Sequence, residues 1–300
     1  LSAQPILPKL WSRDELKSAR DTAEQRAARE RLGEGPDAFA QMRTFVEAEI
    51  RDAMLATLDL TAIDEATLSK HPSLWQILRY FCGPPISEED LWTLVGRKFK
   101  RTPPSAAAAV ASTLVALLDR TRFPWVDAER PPTDSERELA IAGTAVLLAH
   151  ERLKTNKRRA TSTAQEDTVC SALTNAGWTF DAARTQIIDL DKLARGSFSR
   201  ERKVDGVKCD VPVRLRDGRL LALECKVSNG PKNSWKRLAR EIGGKAQQWT
   251  RQYGSRVVTG AVLSGVYDLS NLVAAQEEQR VYLFWEHDLR SLLEFVDCAS

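Results

Sequence analysis

Apolar positions in the first half of the chain recur with a helical period. Between Ala38 and Leu60 they fall at Met42, Phe45, Val46, Ile50 and Met54, which predicts an amphipathic helix. The stretch Leu10–Leu32 is charged, Ala-rich and poor in β-branched residues, and predicts another. Gly83-Pro84-Pro85 breaks the chain, and Ser87 followed by Glu88, Glu89 and Asp90 reads as a capped helix start. Pro103-Pro104 opens an Ala-rich helix to Leu118. Thr133 and Glu136 fit a capping box for a helix to about Leu153. No strand pattern is evident in this half. From Lys154 the period changes. A basic connector, Lys154–Arg159, leads to a helix over Thr163–Asn175, a short strand at Trp178–Phe180 and a basic loop from Arg195 to Lys203. Lys208–Leu215 and Leu220–Val227 predict two strands joined at Arg216-Asp217-Gly218. A helix over Trp235–Gln252, strands at Val257–Leu263 and Val281–Trp285, and a closing helix from His287 to Phe295 complete the order. The expected fold class is therefore α+β or α/β. A helical region, 1–153, precedes a core, 154–300, built on a mixed β-sheet flanked by helices.

The strand pair carries the candidate chemistry. Two-residue periodicity puts Glu224 and Lys226 on one face of their strand and Leu221, Leu223, Cys225 and Val227 on the other. A carboxylate and an ammonium inside so apolar a strand are costly unless they are paired or bind a cation. The connection decides whether Asp210 joins them. A two-residue turn at Asp217-Gly218 pairs Val211 with Glu224 and turns Asp210 away. A three-residue loop with Gly218 left-handed pairs Asp210 with Glu224. The chemistry requires the second register, or a bulge at Pro212, where the missing N–H invites an irregularity. Two carboxylates so placed suit Mg²⁺, a hard cation that takes oxygen ligands.

Composition and charge narrow the class. No apolar run reaches the length of a membrane span, and no signal-peptide pattern opens the chain. The five cysteines (Cys82, Cys170, Cys209, Cys225, Cys298) form no CxxC pair, which argues against a disulfide framework or structural zinc and for a reducing cytoplasm. His71, His150 and His287 lie too far apart to suggest zinc or HNH chemistry. Residues 1–150 hold about 19 Lys and Arg against about 22 Asp and Glu, whereas residues 152–256 hold about 23 against about 11. A basic window of that size is the footprint of a polyphosphate binder, or else a solvated Arg-rich surface. It disfavours a small-molecule metal enzyme.

The series Gln165-Glu166 on a helix, then Asp210, then Glu224-x-Lys226, then a basic helix, resembles the PD-(D/E)XK nuclease superfamily over residues 163–285. Cys209, where the motif's name has Pro, departs from the pattern at a variable position. The whole chain further resembles the XamI-type restriction endonucleases, through Gly83-Pro-Pro-Ile-Ser87, Lys208-Cys-Asp210 and Glu224-Cys-Lys-Val-Ser-Asn229 leading to Asn233-Ser-Trp-Lys-Arg237. The resemblance implies a restriction-endonuclease-like core and Mg²⁺ ligation by Asp210 and Glu224. It also implies a catalytic Lys226 and a supporting Glu166. The implied reaction is phosphodiester hydrolysis in double-stranded DNA, at a short palindrome, by a homodimer. Two rivals stay open: a repair or recombination nuclease without site specificity, and a non-catalytic DNA-binding module on the same fold.

Residues around the strand and connector are candidates for DNA contact: Ser228, Asn229, Lys232, Asn233, Lys236, Arg237, Arg158 and Arg159. Each reads equally well as a solvated loop, connector or helix start. Asp205-Gly206 reads as a turn. Trp235 and Trp249, at helical spacing, read as core rather than as base-stacking groups.

Overall fold

The structure, a computed structural model, describes residues 5–299, without the side chains of residues 157–159, 161 and 162. The chain divides into two compact units, Glu34–Asn156 and Leu1–Gly33 with Lys157–Ser300. The expected boundary near residue 153 is close to one junction, but the first 33 residues group with the C-terminal core and not with the helices they precede.

Seven helices come first: α1 (Arg13–Ala56), α2 (Glu65–Lys70), α3 (Trp75–Leu78), α4 (Glu88–Val95), α5 (Pro104–Ala116), α6 (Pro124–Asp127) and α7 (Asp134–Asn175). The two helices expected within Leu10–Leu60 are the single α1, which carries Pro36 in its interior. The helix runs on through Gly33, Gly35 and Pro36 because the stretches beyond them on either side are rich in Ala, Leu, Glu and Arg. Similarly, the connector Lys154–Arg159 is helical and lies inside α7, since it contains neither Gly nor Pro. The caps form as the pattern predicts. Ser87 and Asp90 make a reciprocal box, and the Thr133 N–H donates to Glu136 at 2.8 Å. Within Glu34–Asn156 the apolar faces close on one core around Trp75, Phe81, Phe123 and Trp125. Its aromatic pairs meet edge to face at 5.2–5.6 Å between centroids.

The other unit is built on a six-stranded sheet in the order β1-β2-β5-β6-β7-β8. Its strands are β1 (Thr179–Phe180), β2 (Ser197–Phe198), β5 (Val211–Arg214), β6 (Leu220–Asn229), β7 (Val257–Val266) and β8 (Tyr282–Trp285). The strands β3 (Arg202–Val204) and β4 (Val207–Cys209) form a separate hairpin. β5 runs antiparallel to β2 and β6, while β6, β7 and β8 are parallel. The parallel register needs crossover helices. Between β6 and β7 the crossover is α8 (Pro231–Trp235), a π-helical stretch Lys236–Gly243, and α9 (Gly244–Tyr253). Between β7 and β8 it is α10 (Leu269–Glu277), which the periodicity did not reveal. The final helix, α11 (Arg290–Cys298), starts later than His287.

One face of the sheet packs Leu221, Leu223, Cys225, Val258 and Val262 against Val169 and Leu173 of α7 and Leu292 and Phe295 of α11. The opposite face is covered too. Ala261 and Leu263 meet Leu238, Ile242 and Ala246, and Leu220 and Ala222 meet Trp249 and Tyr253. Leu16 and Ala23 of α1 complete the first of these two clusters, which is why the chain's first residues belong to this unit. Trp11 fixes them further, its indole N–H donating to the Leu283 carbonyl at 2.7 Å and its backbone N–H to Gln276 at 2.9 Å. Among the described residues, no helix is long and apolar enough to cross a membrane.

Candidate active site on β6

The connection between β5 and β6 sets the geometry. Val211 faces Leu223 and Arg214 faces Leu220 across the antiparallel pair. The Leu215 N–H donates to the Arg219 carbonyl at 2.8 Å, closing a three-residue loop in which Gly218 has φ 95°. That is the register that brings Asp210 opposite Glu224. The irregularity sits at Asp210 itself, not at Pro212: β4 ends at Cys209 and β5 begins at Val211, which frees Asp210 from ladder pairing.

The three predicted side chains meet. Lys226 Nζ lies 2.8 Å from Asp210 Oδ2 and 2.8 Å from Glu224 Oε2. The Cys225 N–H also donates to Asp210 Oδ2, at 2.9 Å. Glu224 is fully buried and Lys226 is 9% exposed, because the crossover helix covers this face of β6. Charges so enclosed persist only when paired. Burial pushes the Glu224 carboxyl up, and the charge on Asp210 adds to that, with Lys226 and Lys245 opposing. At Asp210 burial acts the same way, but the Lys226 charge and hydrogen bond outweigh it and hold the carboxyl below its usual range. For Lys226, burial is overcome by the two carboxylates, and its ammonium is held more firmly than usual.

Glu166 lies on α7, 4% exposed, and its Oε2 accepts from Arg200 Nε at 2.9 Å. Burial raises its carboxyl first. The Arg200 bond opposes that, and the field of Asp210 adds to it. Gln165 is buried beside it and donates to the Val262 carbonyl at 3.1 Å. Two partners were not foreseen. Lys245 of α9 places Nζ 2.6 Å from Glu224 Oε2 and 2.7 Å from the Lys208 carbonyl. Arg200, just after β2, binds Glu166 and also the Asp167 carboxylate and the Thr163 carbonyl. Their only sequence signal was membership of the basic window.

The remaining candidates separate. Asn229, Lys232, Asn233 and Lys236 are exposed, and Arg237 is half-buried with Glu241 as its ion partner at 3.2 Å. Ser228 is buried, with its hydroxyl donated to the Gly230 carbonyl at 3.0 Å, so it faces inward. Arg158 and Arg159 fall within α7, but their side chains lie outside the described residues. Trp249 is core as expected, whereas Trp235 is 58% exposed. The π-helical stretch between them winds less per residue than an α-helix and rotates Trp235 off the buried face.

Asp210 and Glu224 fit a divalent cation. They are hard oxygen donors converging on one ammonium, and Glu224 Oε1 is buried with no hydrogen-bond partner among the described residues. The fit rests on those two carboxylates, since among the described residues no group of three or more His, Cys, Asp or Glu is arranged around a common point.

The comparisons with known proteins agree with this architecture. The family model described as XamI restriction endonuclease matches residues 58–285. A curated relative, the type II restriction enzyme XamI of Xanthomonas campestris pv. amaranthicola, is 34% identical over 212 residues, covering 68% of this chain and 77% of that protein. No solved structure matches the chain. With a match spanning β6, its partner strands and most of the helical unit, the chain belongs to the XamI restriction endonuclease family.

Proposed function

We propose that the chain is a type II restriction endonuclease whose hydrolytic site is Asp210, Glu224 and Lys226, and which cuts both strands of DNA at a short palindrome. The observation that carries the reading is the meeting of two carboxylates on one lysine at 2.8 Å each, one on β6 and one directly before its antiparallel neighbour β5, in a member of a restriction endonuclease family. Family membership makes the protein an endodeoxyribonuclease, a hydrolase of phosphodiester bonds.

Asp210 and Glu224 are the residues that would hold Mg²⁺. When bound, the cation supplies Lewis acidity and lowers the cost of deprotonating water. Lys226 presents an ammonium to the phosphate oxygens and stabilises the negative charge that grows during hydrolysis. Glu166 of α7, held by Arg200, is close enough to feel the charge of Asp210 and adds to the acidic character of the site. Asn229, Lys232, Asn233, Lys236 and Arg237 follow β6 and supply phosphate and base contacts. Arg158 and Arg159 are assigned to the DNA backbone on charge alone. A single site per chain requires two copies for a duplex, and a palindrome calls for a two-fold homodimer. The helical unit is assigned to dimer contacts and to part of the grip on DNA. Five free cysteines suit a reducing cytoplasm.

The test is digestion of a sequenced plasmid with Mg²⁺, comparing wild type with Glu224→Ala. Discrete fragments from wild type alone are expected. A smear would show a nuclease without site specificity. Intact plasmid with Mg²⁺-independent binding would leave only a DNA-binding module.

A further inference from the structure

Glu224 Oε2 accepts from two ammonium groups, Lys226 at 2.8 Å and Lys245 at 2.6 Å, while its other oxygen has no hydrogen-bond partner among the described residues. Two carboxylates, Asp210 and Glu224, therefore already face two ammonium groups, and the cluster is neutral without any added cation. A divalent ion entering it would leave an excess of two positive charges in a poorly solvated pocket, which is costly. One ammonium must withdraw. Lys226 is the less able to do so: it lies on the strand, bonds both carboxylates and the Cys225 carbonyl, and its side chain is 11% exposed. Lys245 reaches in from a different element. It touches only one of the carboxylates, and its side chain is 23% exposed. It stands in the first turn of α9, at the junction with the π-helical stretch, and not on the strand that carries the carboxylate.

We infer that Lys245 is the internal counter-ion of the cation site: it neutralises Glu224 when no metal is present, and it must leave Glu224 for a divalent cation to bind. This rests on the reading of Asp210 and Glu224 as the cation ligands. It makes Lys245 a competitor that weakens metal uptake. Once released, its ammonium is free to meet a DNA phosphate near the same site.

The experiment is calorimetric titration of the metal-stripped full chain with Mg²⁺ in the absence of DNA. Lys245→Gln, which keeps a donor for the Lys208 carbonyl without the charge, is expected to bind Mg²⁺ on the order of tenfold more tightly than wild type. Lys245→Arg, which keeps the charge, is expected to bind as weakly as wild type. A Lys245→Gln affinity equal to or below that of wild type overturns the inference. Glu224→Ala runs in parallel. If it takes up Mg²⁺ as wild type does, the assignment of the cation site is wrong and the inference falls with it. If Glu224→Ala loses uptake while Lys245→Gln is unchanged, the inference alone falls. A second measurement needs no variant: amine acetylation of wild type, read by mass spectrometry at Lys245, is expected to rise severalfold when Mg²⁺ is added. Labelling that does not change with Mg²⁺ overturns the release of Lys245.

Discussion

Among the described residues, the buried polar side chains of Glu34–Asn156 are three threonines, Thr57, Thr102 and Thr144. The sheet unit buries Glu166, Arg202, Asp210, Arg214, Arg219, Glu224 and Lys226. Both units close on comparable apolar clusters, so the difference lies in what each cluster tolerates inside it. A threonine hydroxyl returns its hydrogen bond to its own helix, as Thr57 and Thr144 do to Ala53 and Ala140 at 2.8 and 2.7 Å. A buried carboxylate cannot use a backbone carbonyl in this way and needs a cationic partner, as Glu224 finds in Lys226 of its own strand and in Lys245 of α9. Among the described residues, the helical unit therefore closes its interior without burying a charged side chain. The sheet unit gives up part of its stability to hold charged side chains in its interior.

The comparison breaks hardest at Lys226. Replacing it with Met leaves Asp210 and Glu224 without their shared partner, and cleavage is expected to fall by on the order of 10²–10³ or more. The same change is expected to cost about 3–5 kcal/mol of stability. Single-turnover cleavage and denaturant unfolding read the two effects. Trp125→Ala tests the other side. It empties a fully buried site in the helical core and removes the indole bond to the Asp59 carbonyl at 2.7 Å. A loss of about 3–5 kcal/mol is expected. Cleavage by the protein that remains folded should be unchanged, and a selective loss of cleavage would erase the contrast between the units.

A milder test uses pH. Burial pushes the thiols of Cys82, in the helical unit, and Cys170, in the sheet unit, from 9.0 to about 11. A thiol whose folded value is raised holds its proton longer in the native state, so its contribution is intact below pH 9 and is lost as pH climbs toward 11. Thermal unfolding between pH 8 and pH 11 is expected to show stability falling over that window, and Cys82→Ala should flatten the slope. The smallest effect is at a cap: Ser87→Ala removes the reciprocal box at the start of α4 and is expected to cost ~1 kcal/mol, with no change in cleavage.

What could be read from the sequence follows from how local each determinant is. The hairpin between β5 and β6 was legible from a few adjacent positions, and its turn residues narrowed the register to two, of which the structure has the one with the three-residue loop and a left-handed Gly218. The caps at Ser87 and Thr133 were legible for the same reason. Lys245 was not, because its approach to Glu224 depends on how the crossover helix lies over the sheet. Trp235 misled because the argument from helical spacing assumed one continuous α-helical period, and the π-helical stretch breaks that phase. The sequence put Glu224 and Lys226 on one face of β6 without showing what covers that face. The residues that cover it lie on α9 and on the crossover, and no periodicity within β6 reports them. Nothing between Leu10 and Leu32 signalled that Leu16 and Ala23 would pack against β7 and α10.

That long-range seam has a consequence for how the molecule is made. Trp11 bonds to Gln276, 265 positions further along, and the two can meet only after α10 has been synthesised. Contacts of such separation form late, after the shorter-range ones that the helical insertion can make by itself. A nascent chain of this enzyme thus carries β6 and its charged residues well before the support behind them is closed. Closure of the sheet unit around β6 is in this way deferred until the elements that follow it in the chain have been translated.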